Sequence, residues 1–445
     1  MAKAKMGLVQ ATALVFGNMV GSGVFLLPAS LAAYGYFGLG GWLLTSAGAL
    51  VLALVFASLG AHLPAAGGPY AYSRLAFGDL AGFLVAWGYW VALWSGNAAI
   101  AVAFVGALSA VVPWIGAAPW HSAAVAIAAI WTLTAVNAFG VRSAGVVQVV
   151  TSALKMLPLL AVALFGLSRF DASSLPAPTV DMAPLAALGA TAALTLWAFL
   201  GLESATVPAE SVEEPKKTIP RATVLGTVAA AVLYVVATLA IFAVVPQGEL
   251  AASSAPFALA AERLWGTAAA ALVAAGAAIS AFGTLNGWIL LQAQLPMAAA
   301  RDGLFPAFFA RLNRRGVPAG GLVVGSLLQT VMIAFNYSEG LVAQFTFIIL
   351  IATMATLVPY VFSSAALLLL LRREPEKFAA AGAGGGRKGL FAIGGLGFAY
   401  ALWAVGGAGA ETVYWGFLLL LLGIPFYIWQ VGQAAKRPNE SGERP

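Results

Sequence analysis

Cysteine is absent from this chain, and histidine occurs only twice, at His62 and His121. The first absence excludes disulfides, thiolate metal sites and cysteine nucleophiles. Both histidines sit at the ends of apolar stretches. The interior of those stretches therefore lacks the His, Asp or Glu cluster that a membrane-embedded enzyme needs, and neither a metal nor a cofactor is called for. Charge is equally scarce. Asp, Glu, Lys and Arg make up 9% of the residues, and only Lys155 and Glu203 fall deep within an apolar stretch. No repeated polar ring or carbonyl filter motif of a channel is visible.

Apolar sequence fills the space that charge leaves. The chain is 62% hydrophobic, with a mean hydropathy of +0.94, unlike any soluble domain of this length. Twelve stretches are long enough to cross about 30 Å of hydrocarbon. They lie near 9–33, 39–62, 82–111, 122–141, 147–167, 184–209, 222–245, 267–298, 319–336, 341–370, 389–408 and 413–433. The first could instead be a signal peptide, but no A-x-A cleavage site follows it. If the spans are numbered alternately in and out, 19 Lys and Arg residues fall on one side, and only Arg169 and Arg263 on the other. The net charge of +6 thus reflects orientation rather than nucleic acid, and the positive-inside rule puts both termini in the cytoplasm.

Two spans break in the same way. VFGNMVGSGVFLLPAS is interrupted at Gly21-Ser22-Gly23 and closes on Pro28-Ala29. LWAFLGLESATVPAES is interrupted at Gly201-Leu202-Glu203 and closes on Pro208-Ala209, about 180 residues later. Unwound peptide groups cannot face lipid, where nothing hydrogen-bonds them. They can face a cavity, where free N–H groups hold an anion such as a carboxylate, and paired breaks point to a transporter's binding site. The pairing of spans 1 and 6 suggests one transmembrane domain over 1–445. It divides into a first five-helix repeat at 9–167, a second at 184–370, two added helices at 389–433 and a polar tail at 434–445. The loop AAARDGLFPAFFARLNRRGVP could hold an interfacial helix around Phe305–Leu312. The Gly-rich loop at 378–389 has no GKS or GKT and reads as a linker rather than a phosphate loop.

The polar residues inside the spans each have a bland reading. Lys155 lies about 12 Å into its span, from the 1.5 Å rise per residue, at the edge of snorkelling reach. Glu203, beside the second break, is far from either interface. Buried charge is costly and normally faces a cavity or a partner. Asn97 could be interhelical glue. Trp197 and Trp288 lie mid-span, where they could simply pack or could stack on a cationic group.

At these residues the chain resembles the amino acid–polyamine–organocation superfamily. It is most similar to the basic amino acid/polyamine antiporters of the bacterial arginine/agmatine type. The likeness covers nearly the whole chain and is strongest at GNMVGSGVFLLPA (17–29), GGPYAYSRLAFG (67–78), GYWVALWSGN (88–97), LTLWAFLGLESA (194–205), LNGWILL (285–291), ARDGLFP (300–306) and TLVPY (356–360). It implies an all-α integral membrane protein of 12 transmembrane helices in the bacterial inner membrane, built as a LeuT-type 5+5 inverted repeat with broken helices 1 and 6. The implied partners are a small amino acid or amine, the lipid bilayer and a second copy in a homodimer.

The resemblance also implies roles. Ser22 and Gly23, with Val20 beside them, would hold the substrate carboxylate, and carbonyls of helix 6 the α-amino group. Trp197 would gate, and Ala92, Asn97, Leu200, Trp288 and Ala352 would line the side-chain pocket. Tyr89 and Tyr360 would close the outer and inner gates, and Glu203 would sense protons. Three departures matter. Ala352 replaces a hydroxyl residue of the arginine exchanger, Leu93 replaces a cysteine, and Lys155 stands where that exchanger has a small apolar residue. A lysine at this point substitutes for sodium in a branch of proton-coupled broad-specificity transporters and neutral amino acid exchangers. The expected function is therefore arginine-for-agmatine exchange, with proton-coupled or neutral amino acid transport through Lys155 as the alternative.

Overall fold

The computed structural model describes residues 5–171, 175–253, 255–336, 341–378, 386–407 and 410–435. The described residues form helices and turns, with one isolated bridge between Met6 and Val212. Each of the twelve apolar stretches contains helix. The first is split into α1 (Leu8–Met19) and α2 (Ser22–Ala32). Then come α3 (Tyr36–His62), the short α4 (Pro69–Phe77), α5 (Asp79–Ser109), α6 (Pro119–Ala138) and α7 (Val141–Leu167). After α8 (Pro184–Leu196) the chain unwinds before α9 (Pro215–Val244). Two short helices, α10 (Gln247–Ala251) and α11 (Pro256–Trp265), lead to α12 (Thr267–Arg301). The remainder is α13 (Ala319–Asn336), α14 (Leu341–Arg373), α15 (Gly386–Gly407), α16 (Ala410–Leu421) and α17 (Gly423–Ala435).

Among the described residues nine helices are long and apolar enough to cross a membrane, and three further apolar helices are shorter: Leu8–Met19, Pro184–Phe199 and Ala319–Phe335. Two of these three are the leading halves of the broken spans, so the breaks themselves account for their length. The core gathers around α5 and α12, which pack on each other. α14 lies against α5, and α7 against α12 and α9, while α1 sits between α7, α9 and α12. Both breaks are thereby enclosed by long helices.

Outside the spans the expectations fare unevenly. The interfacial helix expected around Phe305–Leu312 shrinks to a single 3-10 turn at Ala307–Ala310, because Pro306 fixes its start and Arg311 is already extended. Most of the Gly-rich loop and the tail beyond 435 lie outside the described residues. The sequence did not reveal α4, which is tied to the end of α12. Tyr70 Oη donates to Asp302 Oδ2 at 2.7 Å, and Arg74 bridges Asp79 at 2.7 Å and Asp302 at 3.0 Å. Burial, reinforced by the Asp302 hydrogen bond, pushes the Tyr70 phenol well above its usual range. Arg301 reaches Glu210 at 2.6 Å. Met6 N–H donates to the Ser211 carbonyl at 2.8 Å, and Glu213 N–H donates to that of Met6 at 2.9 Å. These contacts tie α4 to the end of α12, the end of α12 to Glu210, and the N-terminal segment to residues 211–213.

Candidate functional site

The first break is two residues long. Gly21 N–H turns to the Met19 carbonyl at 2.9 Å instead of reaching back to Gly17, so α1 stops and α2 begins at Ser22. Ser22 and Gly23 occupy the first turn of α2, where backbone N–H groups lack intrahelical partners and the helix dipole favours an anion. The side chain of Ser22 lies outside those described. Gly21 and Gly23 have steric reasons to lack side chains. A Cβ on Gly21 would stand 2.8 Å from Thr284 Cγ2, and one on Gly23 would stand 3.1 Å from the Trp197 indole.

The second break is longer. α8 tightens into a 3-10 turn at Trp197–Phe199, and Leu200 swings to extended geometry. Gly201 adopts φ +106, which only glycine takes readily. Residues 201–208 run on as consecutive turns. Not every freed carbonyl is available to a ligand, because that of Ala198 accepts from Tyr234 Oη at 2.8 Å.

Between the breaks lies a narrow, nearly closed cavity of about 30 Å³, room for little more than water. Gly21 and Gly23 form one wall, and Trp197 and Leu200 the facing one. α5 contributes Ala92, Gly96 and Ile100, and α14 contributes Ala352 and Thr356. Trp288 and Thr284 come from α12, and Asn18 and Met19 from the end of α1. No acidic side chain is among these lining residues. Trp288 Nε1 donates to the Asn18 carbonyl at 3.2 Å, and Asn18 Nδ2 donates to Ser204 Oγ at 2.9 Å. Asn18 thus joins the first break to the second.

Of the residues named from sequence, Gly23, Ala92, Trp197, Leu200, Trp288 and Ala352 meet at this cavity. Val20 stands behind it and takes part in a different contact. Lys155 is fully buried, and its Nζ donates to the carbonyls of Gly17 at 3.0 Å and Val20 at 2.5 Å. Those are the carbonyls that the end of α1 leaves free. Thr284 Oγ1 donates to the same pair at 2.8 and 3.2 Å, and Ser280 Oγ donates to Val20 at 3.1 Å. An ammonium group held by two carbonyls and flanked by two hydroxyls ties α7 to the break, while α12 supplies the hydroxyls. The side chain does not snorkel.

Two placements differ from expectation. Tyr89 and Tyr360 do not stand on opposite sides of the cavity. Tyr360 Oη donates to Glu203 Oε2 at 2.6 Å, Tyr89 Oη donates to Oε1 of the same carboxylate, and Gly201 N–H donates to Tyr360 Oη at 3.2 Å. The two phenols thus share one carboxylate beside the second break. Asn97 is the other case. It is fully buried but is not among the lining residues, and its Nδ2 donates to Gln292 Oε1 at 2.7 Å. On α5 it falls one residue past Gly96, about 100° round the helix from the cavity face. Sequence reasoning missed Asn18, Ser280, Thr284 and Gln292, whose partners lie far away along the chain.

Comparison with known proteins agrees with this architecture. Residues 6–429 match the amino acid permease family. The chain is 33% identical to the putrescine transporter PotE of Haemophilus influenzae over 430 residues, covering 95% of this chain and 96% of that protein. It is 37% identical to the cadaverine/lysine antiporter of Escherichia coli K12 over 369 residues, 81% of this chain and 82% of the relative. Over the same length it is 34% identical to the putrescine transporter PotE of Escherichia coli K12. The chain belongs to the amino acid permease family, as its resemblance to the amino acid–polyamine–organocation superfamily indicated. It is a multi-pass membrane transporter, not an enzyme.

Proposed function

We propose that this permease is a secondary transporter of the bacterial inner membrane that exchanges a cationic amino acid for its decarboxylated amine, with arginine and agmatine as the first pair to test. The observation that carries the reading is the cavity between the two breaks, with Gly23 in the first turn of α2 and the indoles of Trp197 and Trp288 on its walls. The substrate carboxylate sits on the free N–H groups at Ser22 and Gly23. Unpaired carbonyls of the second break receive the α-amino group. The indole faces attract the cationic end of the side chain. Trp197, lying across Gly23, covers the bound molecule, while Glu203 with Tyr89 and Tyr360 forms the second closure and responds to protons. In this reading twelve helices span the membrane with both termini in the cytoplasm. Residues 9–167 and 184–370 are the two inverted repeats of a LeuT-type fold, 389–433 add two helices, and the protein forms a homodimer. Agmatine carries one positive charge more than arginine, so each cycle removes one charge from the cell.

The named relatives support an amine on one side of the exchange. A second reading, transport of neutral amino acids by exchange or with protons, is favoured by the absence of an acid among the lining residues and by the Lys155 ammonium beside the first break. Uptake of radiolabelled arginine into proteoliposomes, with and without internal agmatine and with competing amino acids outside, separates the two. Acceleration by internal agmatine is expected. Uptake indifferent to internal amine and competed by alanine points to the second reading, and no uptake of any amino acid overturns both.

A further inference from the structure

Several arginines at the helix ends meet a carboxylate, among them Arg74, Arg263 and Arg301. The loop between α12 and α13 is different. Arg311, Arg314 and Arg315 fall within five positions, and all three are exposed. None of them is in an ion pair among the described residues, and no Asp or Glu occurs between Gly303 and Ala319. The loop is nonetheless built rather than loose. Asn313 Oδ1 accepts from the N–H groups of Arg315 at 2.9 Å and Val317 at 3.0 Å. Its own N–H donates to the Val317 carbonyl at 2.8 Å, and its Nδ2 donates to the Ala138 carbonyl at 3.0 Å. That last bond fastens the loop to the end of α6, where the Arg315 guanidinium lies 4.0 Å from the centre of the Phe139 ring. Three like charges are thus carried on one braced loop without a counter-ion.

Apolar surface beside these charges says what kind of anion fits. Phe139, Phe308 and Leu312 are each at least 40% exposed. α6 and α13 pack on each other, with the hydroxyls of Thr134 and Ser326 2.6 Å apart. Phe308 lies against the first turn of α13, since a Cβ on Gly320 would stand 3.1 Å from its ring. Along α13, Val323, Leu327, Val331 and Phe335 are exposed at every fourth position, a stripe along one helix face. The basic loop therefore stands at the head of an apolar stripe, matching the headgroup and chains of a phospholipid. We propose that this loop, with Phe139 and the exposed face of α13, is a docking site for an anionic phospholipid. The guanidinium groups take the headgroup phosphate in forked hydrogen bonds, and the acyl chains run along α13. A free phosphate would use the arginines but leave the phenylalanines and the stripe uncovered. Because Asn313 already holds the loop in shape, little conformational freedom is lost on binding. Basic pockets between transmembrane helices on the cytoplasmic side bind such headgroups, and in the orientation proposed above the ends of α6 and α12 lie on that side.

The test uses the purified full chain in a neutral detergent, its melting temperature followed against added phosphatidylglycerol, phosphatidylcholine with the same acyl chains, and inorganic phosphate. Phosphatidylglycerol alone should raise the melting temperature. Replacing the three arginines together, as Arg311→Gln, Arg314→Gln and Arg315→Gln, should raise the half-saturating phosphatidylglycerol concentration about 100-fold, the scale of three charges beside an anionic lipid surface. Lys216→Gln, Lys217→Gln and Arg221→Gln together remove as much charge from the start of α9 and should leave that concentration unchanged. Asn313→Ala keeps every charge but releases the brace, and should weaken binding about tenfold, the scale of one hydrogen bond. Each variant is compared with its own lipid-free melting curve, so a lower starting stability does not enter. Equal shifts with the two lipids, a shift reproduced by inorganic phosphate, equal weakening in the two triple variants, or wild-type binding in Asn313→Ala overturns the proposal. Micelles have no inside or outside, so failure here is distinct from failure of the proposed orientation.

Discussion

Replacing Lys155 by alanine separates a structural cation from a transport element. The ammonium makes two charge-assisted hydrogen bonds, at 3.0 Å to Gly17 and 2.5 Å to Val20. At about 1.5–3 kcal/mol each, their loss removes about 3–6 kcal/mol of attachment between α7 and the first break. Two effects oppose that loss. Thr284 and Ser280 still donate to the same carbonyls, so neither becomes bare. A buried ammonium without a carboxylate partner is itself unfavourable by about 2.5–3.5 kcal/mol at mid-membrane. Global stability should therefore fall by only about 0–3 kcal/mol, while the break loses the group that fixes its carbonyls. Purified Lys155→Ala should melt close to wild type in detergent yet bind amino acid at least tenfold more weakly, because the first turn of α2 is no longer held in register. Thermal melting with and without substrate, followed by exchange in proteoliposomes, measures both. Wild-type affinity and exchange in a folded Lys155→Ala would refute the argument. If Lys155 is a fixed cation, wild type should also show little uptake into liposomes lacking internal substrate. Robust proton-driven uptake there, abolished in Lys155→Ala, would show instead that this lysine titrates during the cycle.

Other expectations follow from the same geometry. Gly23→Val places branched carbons against the Trp197 indole, 3.1 Å from where a Cβ would sit. It should abolish amino acid binding, measured by loss of the substrate-induced melting shift, without preventing insertion. Asn97→Ala should weaken arginine far more than alanine in competition assays, and equal weakening would make Asn97 packing glue. Glu203→Gln should flatten the dependence of exchange on pH between 5 and 8 while the protein still binds substrate, and a profile identical to wild type would remove Glu203 from proton sensing. Gly201→Ala forces a side chain into φ +106 and against Asn18 and Trp288, each 3.0 Å from the new carbon. It should lower the melting temperature and reduce exchange together.

Much of the site was legible because local chemistry announces it. Glycine and proline punctuate a membrane span wherever its backbone must open, so both breaks could be located within a few residues. A charge within an apolar run is costly, so Lys155 and Glu203 stood out before any partner was known. What could not be read is which way a neutral polar side chain turns. Asn97 and Asn18 give the same sequence signal, an amide in an apolar helix. Yet Asn18 lies at the cavity and spans both breaks, while Asn97 is drawn aside by Gln292, 195 positions away. Ser280 and Thr284 looked like ordinary helix hydroxyls, since only the end of α1 gives them a purpose. That Tyr89 and Tyr360 meet on one carboxylate could not be read either, because their separation along the chain says nothing about a shared partner. The short helices α4, α10 and α11 lack the length that made the spans visible.

The interlock at Asn18 has an evolutionary corollary. A side chain on Gly287 would begin 1.9 Å from Asn18 Oδ1, and one on Gly201 3.0 Å from Asn18 Cβ. One asparagine therefore holds two distant glycines to their present identity. Gln148 Oε1 would also stand 3.0 Å from a Cβ on Gly287, so a lineage that exchanged both Asn18 and Gln148 for smaller residues would release Gly287 to drift, whereas Gly201 would remain bound by its positive φ. Alignments of this family should accordingly show position 287 changing only where positions 18 and 148 change with it, and position 201 staying invariant, a signature of inheritance that could be sought without touching the protein.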